Sequence, residues 1–250
     1  MTHPTLDQLV ALKRTGMAQA RSEPMALPES QARRCAERLG RLVERELTAR
    51  RDRRLTTRWR QATWRLRASL EAIDSRHPRG LEKALRLRLA SGHWSHERHH
   101  GLITGPTGSG TTWLSGALGH QACRAGDTVL SRRLPRLLQE LPMAKGDGRY
   151  PKLLASLAKT ALLILDDWGL ATLSDEHRRD VLELLEDRHG RGATIVTSQF
   201  PVEHWHEALG NPTLADAILD RLLHNAYKMT LRGESMRKRH APVTTDVSVT

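Results

Sequence analysis

At 250 residues the chain is long enough for one α/β domain and a smaller appendage, and a composition of 38% hydrophobic and 27% charged residues excludes a disordered tail protein. Forty Lys and Arg against 28 Asp and Glu leave a net charge of +12, a balance that points to a polyanionic partner, nucleic acid first. Cys35 and Cys123 are the two cysteines; they are too few for a disulfide framework and lack zinc-ligand spacing, which fits a reducing compartment.

Thr5 with Gln8 reads as a capping box, followed by Leu6, Leu9, Val10 and Met17 on one face of a predicted opening helix. Asp7, Lys13 and Arg14 interrupt this stretch, so it has no signal-peptide core, and no later apolar run approaches membrane-spanning length. The expectation is a soluble, cytoplasmic protein with no membrane contact. Pro24 and Pro28 break the pattern, and Ser30 caps a second, long predicted helix with Cys35, Leu39, Leu42 and Val43 at helical spacing. Arg34, Arg38, Arg41 and Arg45 line up along another face of that helix. Between residues 31 and 70 thirteen arginines meet four acids, Glu37, Glu44, Glu46 and Asp52, so +9 of the +12 is concentrated here. Trp59 and Trp64 have two readings, stacking on bases or packing in a core; they do not share a helical face, and core packing is the favoured one.

From about Leu70 the texture changes, with turn signals at Pro78 and Gly80 and then short apolar runs alternating with helical stretches. Gly101 to Thr104, Thr128 to Ser131, Ala161 to Leu165, Ala193 to Thr197 and Tyr227 to Leu231 are the predicted strands of a largely parallel, helix-covered sheet. Residues 1–69 are thus expected to form a basic helical region, 70–240 an α/β domain and 241–250 a loose polar tail.

Directly after the first of these strands comes GPTGSGTTWL, residues 105–114, followed by a helical stretch ending near Arg124 and Gly126. Strand, glycine loop and helix is the context of a phosphate-binding P-loop, in which glycines let backbone N–H groups curl around phosphates at a helix N-terminus. Gly105, Pro106, Thr107, Gly108, Ser109, Gly110, Thr111 and Thr112 are the predicted nucleotide-binding residues. The pattern G-x-x-x-x-G-K-S/T is met except at the lysine, where Thr111 stands. A threonine hydroxyl cannot supply the lysine's point charge to the β and γ phosphates, so binding of ATP is expected to survive better than hydrolysis. Arg132, Arg133 and Lys145 are basic side chains that could reach the phosphates instead, a reach that the sequence does not reveal.

Thr112 keeps the hydroxyl expected on Mg²⁺, and the run Ala161 to Leu165 ends in Asp166 and Asp167, the second predicted magnesium ligand and the predicted base for an attacking water. The next strand ends in Ser198 and Gln199, where Ser198 is the candidate sensor of the terminal phosphate; ordinary turn residues would look the same. Thr213 and Asp216 read as the start of a helix that buries Leu214, Ile218 and Leu222 and leaves Arg221 directed elsewhere.

The stretch from about Leu70 to Lys238 resembles the IstB-like transposition helper ATPases, AAA+ proteins related to the DnaC helicase loaders. The resemblance rests on GPTGSGTTWL, GDGRYPKLL at 146–154, LLILDDWGL at 162–170, TIVTSQFPVEHWHE at 194–207, LADAILDRLLHNAY, and RGESMRKR ending at residue 239. It implies a P-loop NTPase domain that assembles with ATP as a homo-oligomeric ring or filament on double-stranded DNA and recruits or stimulates a transposase. It also implies that Arg221 is an arginine finger acting in a neighbouring subunit and Arg237 a second sensor. The basic N-terminal region looks like the family's helical appendage, with phosphate contacts from Arg34, Arg38, Arg41, Arg45, Arg50, Arg51, Arg53 and Arg54. Three readings stay open: a DNA-dependent ATPase weakened by Thr111, a non-catalytic ATP- and DNA-binding scaffold or regulator, and a DnaC-like helicase loader.

Overall fold

The computed structural model describes residues 4–22, 35–64, 68–72, 88–233 and 235, and it forms two compact units, Met1–Thr57 and Arg58–Thr250. The division falls ahead of the expected boundary near residue 70. Ala62 and Ala68 are buried in the second unit, and the Trp64 ring lies against Gly119, where an added Cβ would meet it at 2.5 Å. Trp59 and Trp64 both contact the His120 ring, with centroids at 5.7 and 4.4 Å; Trp64 packs within the second unit, whereas Trp59 stays 37% exposed. Ser30, Arg34, Arg237 and the expected tail 241–250 lie outside the described residues, and so does the side chain of Arg38.

In the first unit the predicted opening helix is two helices, α1 (Pro4–Ala11) and α2 (Thr15–Ser22), because the chain turns at Leu12–Arg14 with Lys13 in the left-handed region at φ 56. Helix α1 starts at Pro4, whose fixed φ suits a first helical position, so Thr5 lies inside the helix and does not cap it. Helix α3 (Cys35–Gln61) is the long arginine-rich helix. Its buried Glu46 accepts N–H bonds from Gly16 (3.0 Å) and Met17 (3.4 Å), placing a carboxylate at the N-terminus of α2, where unpaired amides and the helix dipole favour it. Gly16 is required there, since a Cβ would come within 2.7 Å of the Arg45 carbonyl oxygen.

All five predicted strands are present in the second unit: β1 (His100–Thr104), β2 (Val129–Arg133), β3 (Leu162–Trp168), β4 (Ala193–Ser198) and β5 (Ala226–Thr230). Every pairing is parallel, in the order β2-β3-β4-β1-β5. The central strands are buried on both faces, which is why their sequences read as unbroken apolar runs. The covering helices are α4 (His93–His96), α5 (Thr111–Ala125), α6 (Leu134–Gly146), α7 (Tyr150–Lys159), α8 (Asp175–Arg188), α9 (Trp205–Leu209) and α10 (Pro212–Leu223). Their inward leucines, including Leu137, Leu141, Leu157, Leu184 and Leu222, pack with Leu163, Leu165 and Val196 of the sheet in one core. Helix α10 is capped by Asn211, which accepts the Leu214 N–H at 3.2 Å, and not by Thr213, because Pro212 takes the first helical position.

Two buried polar residues fix the sheet from below. Arg188, 1% exposed at the end of α8, donates to the carbonyls of Leu157 (2.7 Å) and Thr160 (2.7 Å) and to Ala193, and burial pushes its pKa down to about 10. His100 Nδ1 on β1 accepts the Thr194 N–H of β4 at 3.1 Å; burial first, then the Arg188 charge, pushes the imidazole from 6.5 down to about 4.

The unfolded chain takes up a proton on His100 near pH 6.5 and the folded chain only near 4, so its stabilisation is complete above about 6.5 and is lost as pH falls toward 4. The loss expected is roughly 3 kcal/mol. Urea unfolding across this range should show the acid slope in the natural chain and a flatter one in His100→Asn; equal slopes would place the acid sensitivity elsewhere.

Candidate functional site

The C-terminal edge of the sheet gathers the predicted loop. Leaving β1, the Gly105 N–H donates to the Ser198 carbonyl at 3.1 Å, while the Leu231 N–H donates to the Thr104 carbonyl at 2.7 Å, so the loop is rooted between β4 and the exit of β5. A Cβ on Gly105 would stand 2.8 Å from the Leu231 carbonyl oxygen. Gly108 and Gly110 occupy the left-handed region at φ 85 and 101, and Gly110 is the N-cap of α5. The turn therefore delivers the unpaired amides of α5 and its positive dipole end to the edge where the strands finish, a ready site for phosphate. Pro106 and Thr107 are exposed, Thr111 and Thr112 are half-buried, and the buried Ser109 hydroxyl has no hydrogen-bond partner among the described residues.

Thr112, in the first turn of α5, donates its hydroxyl to Asp166, at 2.9 Å to Oδ1 and 3.2 Å to Oδ2. Thr197 of β4 donates to the same carboxylate, which is 2% exposed. The sequence places these two predicted magnesium ligands 54 residues apart and the fold brings them into contact. A threonine hydroxyl beside a carboxylate is a pair of hard oxygen donors, the chemistry that Mg²⁺ takes when phosphates and water complete its shell. The residues present fit Mg²⁺ with a nucleotide.

The β3–β4 register shifts between Leu165 and Trp168, and within that irregularity Asp167 adopts φ 65, a conformation costly for a residue with a Cβ. Its N–H donates to Thr197 Oγ1 at 3.3 Å, and its Oδ2 accepts the Arg133 Nε at 2.5 Å. The predicted base is thus ion-paired to the last residue of β2. Ser198 is turned away from the loop: it is 2% exposed, donates to the Trp168 carbonyl at 2.9 Å and accepts the Phe200 N–H at 3.1 Å. The side chain that reaches the loop from the end of β4 is Gln199, which accepts the Thr107 hydroxyl at 2.6 Å.

Arg221 on α10 is 36% exposed and bound to Asp220 at 2.8 Å, with its Nε buried and without a hydrogen-bond partner among the described residues. In the first unit Arg41, Arg45, Arg51, Arg53 and Arg54 are exposed on α3, whereas Arg50 (2.9 Å) and Arg53 (3.5 Å) also pair with Glu46. Sequence reasoning named Arg133 and Asp167 separately but missed that they pair, and it missed Thr197 and Ser235, which packs on Gly108. The pairing follows from the place of Arg133 at the end of β2, opposite Asp166 in register.

A Cβ on Gly108 would lie 2.2 Å from Ser235 Oγ in addition to forcing a left-handed alanine. Gly108→Ala is expected to cost about 1–2 kcal/mol in thermal unfolding and to weaken nucleotide binding. Gly146→Ala, where the added carbon meets nothing within 4 Å, should change neither. Equal behaviour of the two variants would remove the loop geometry from the account.

A family profile described as IstB-like ATP binding protein matches residues 7–243. The insertion sequence ATP-binding protein y4pL of Sinorhizobium fredii is 51% identical over 238 residues, 95% of this chain and 97% of that one. The ATP-binding protein of insertion sequence IS21 of Pseudomonas aeruginosa is 34% identical over 81% of this chain and 78% of its own length. Among solved structures, DnaI superposes with a TM-score of 0.57 at 24% identity over 66% of this chain and 92% of that one. The DnaC helicase loader superposes at 0.53 with 20% identity, over 66% and 97%. These likenesses show an α/β fold shared with DnaI and the DnaC helicase loader, and the sequence matches show that this chain belongs to the IstB-like ATP-binding proteins of insertion sequences.

Proposed function

We propose that the chain is a helper of insertion-sequence transposition that binds Mg²⁺-ATP in residues 105–112, assembles as a homo-oligomer on double-stranded DNA and recruits or stimulates a transposase in the cytoplasm. The observation that carries this reading is the hydrogen bond from Thr112 to Asp166, which joins the glycine loop to the acidic end of β3. Thr112 and Asp166 would hold the metal, and the amides of Gly108, Ser109, Gly110, Thr111 and Thr112 would hold the phosphates. Magnesium, when bound with ATP, supplies positive charge to the transferring phosphoryl group. Asp167 accepts the proton of the attacking water, and Arg221 of a neighbouring copy leaves Asp220 to stabilise developing charge. Ser198 acts from behind by fixing the chain after β3, and Arg237 contributes a second sensor.

Arg34 together with α3, which carries Arg38, Arg41, Arg45, Arg50, Arg51, Arg53 and Arg54, supplies the DNA contacts, since clustered arginines release counterions from phosphates. A second reading, a nucleotide-binding scaffold that does not turn over, is favoured by Thr111 together with the ion pair that occupies Asp167.

DNA-stimulated ATP turnover is expected to be low in the natural chain and to rise about tenfold or more in Thr111→Lys, given the lysine's share of charge stabilisation. Robust and equal turnover in both would refute the impaired-hydrolysis reading. In anisotropy titrations with duplex DNA, the slope of log K against log salt should shrink by about 0.9 for each phosphate interaction that Arg41→Ala, Arg51→Ala or Arg54→Ala removes. Binding that ignores salt, or no response to millimolar Mg-nucleotide, overturns the proposed function.

A further inference from the structure

The missing lysine leaves a question of charge: which cation meets the terminal phosphate in this chain. We propose that Arg133 is that cation, an assignment that rests on the reading of residues 105–112 as an ATP site.

Three basic side chains precede β3 as candidates, and the fold separates them. Lys145 on α6 is held by Glu176 (2.8 Å) and by both oxygens of Asp180 (2.7 and 2.9 Å), and its Nζ stands over the Tyr150 ring at 4.9 Å. Its charge is consumed in a network that joins α6, α7 and α8. Arg132 and Arg133 are successive residues of β2, so their side chains leave opposite faces of the sheet. Arg133 pairs in register with Asp166, the acid bonded to Thr112, and its Nε binds Asp167. One short chain of contacts therefore runs from the first turn of α5 through both acids to the Arg133 guanidinium. The Arg133 side chain is 34% exposed, so the guanidinium keeps access to solvent while it changes partners.

A guanidinium is a planar fork that fits phosphate oxygens as well as carboxylate oxygens, and it stays charged at any working pH. Arg133 is thus parked on Asp167 and exchanges that carboxylate for the terminal phosphate. The exchange has a second effect, because Asp167 loses its ion-pair partner at the moment when a carboxylate is needed beside the attacking water. The left-handed backbone of Asp167 serves the same arrangement by keeping its carboxylate on the Arg133 side of the bulge.

The test measures dissociation constants of Mg-ATP and Mg-ADP by titration calorimetry, with thermal unfolding confirming that each variant is folded. The natural chain should prefer ATP. Arg133→Ala should lose at least about tenfold in ATP affinity with ADP little changed, the scale of one charge-assisted contact. Arg133→Lys should retain part of the preference, and Thr111→Lys should restore it in the Arg133→Ala background. Asp167→Asn separates phosphate binding from a strut role: freeing the guanidinium should leave ATP affinity equal or higher, whereas a strut would make this variant behave like Arg133→Ala. An unchanged ATP/ADP ratio in Arg133→Ala, no restoration by Thr111→Lys, or loss of ATP affinity in Asp167→Asn each overturns the assignment while the nucleotide site itself stands. A natural chain that binds neither nucleotide overturns the assignment together with the site.

Discussion

A carboxylate at 2% exposure must be met by donors, and the way Asp166 is met organises the whole upper edge of the sheet. Thr112 comes to it from the helix after the glycine loop and Thr197 from the neighbouring strand, so two separate elements are bound to one acid of a third. A displaced loop would leave that charge with fewer partners in a low-dielectric setting, where the penalty is largest. The Asp166 contacts therefore set the position of the glycine loop relative to the strands, and the glycines only permit the path. The same acid lies next to the register shift of β3, so the irregularity that turns Asp167 outward begins where the buried contact ends.

The strongly basic composition also reads differently once the partners are visible. Arg188 is entirely internal and satisfies carbonyls between α7 and β4. Arg50 and Arg53 share Glu46, Arg124 meets Glu71, and Arg178 binds Asp175. The count of forty Lys and Arg thus overstates the cations free to meet a polyanion, since some are paired or buried within the fold, although the net +12 already subtracts the acids they meet. Arg41, Arg45, Arg51, Arg53 and Arg54 of α3 are among the cations that project into solvent.

The fold was legible because parallel central strands, buried on both faces, must be apolar without alternation, and the runs of β1, β3 and β4 showed this, while the edge strands β2 and β5 carry polar residues. The loop was legible because left-handed turns at 108 and 110 require glycine. What escaped were relations that no local pattern encodes. The pairing of Arg133 with Asp167 depends on strand register across 34 residues. The outward turn of Asp167 and the inward turn of Ser198 both follow from a register shift that nothing in LLILDDWGL announces. The cap of α10 falls two residues before its expected place because Pro212 sets the start of the helix, and the opening helix is divided by a break that Lys13 makes in the left-handed region. The division of the chain is expected near residue 70 because composition changes there, whereas packing recruits the aromatic stretch after Thr57 to the larger unit.

The packing of Gly108 on Ser235 carries one more consequence. No atom can be added at 108 without displacing 235, and the adjoining Gly105 is closed in the same way by Leu231. The two segments lie more than a hundred residues apart in the chain, yet they share a single volume. Change in one is admissible only with a compensating change in the other, so lineages that diverge at this loop should carry paired substitutions at the exit of the last strand.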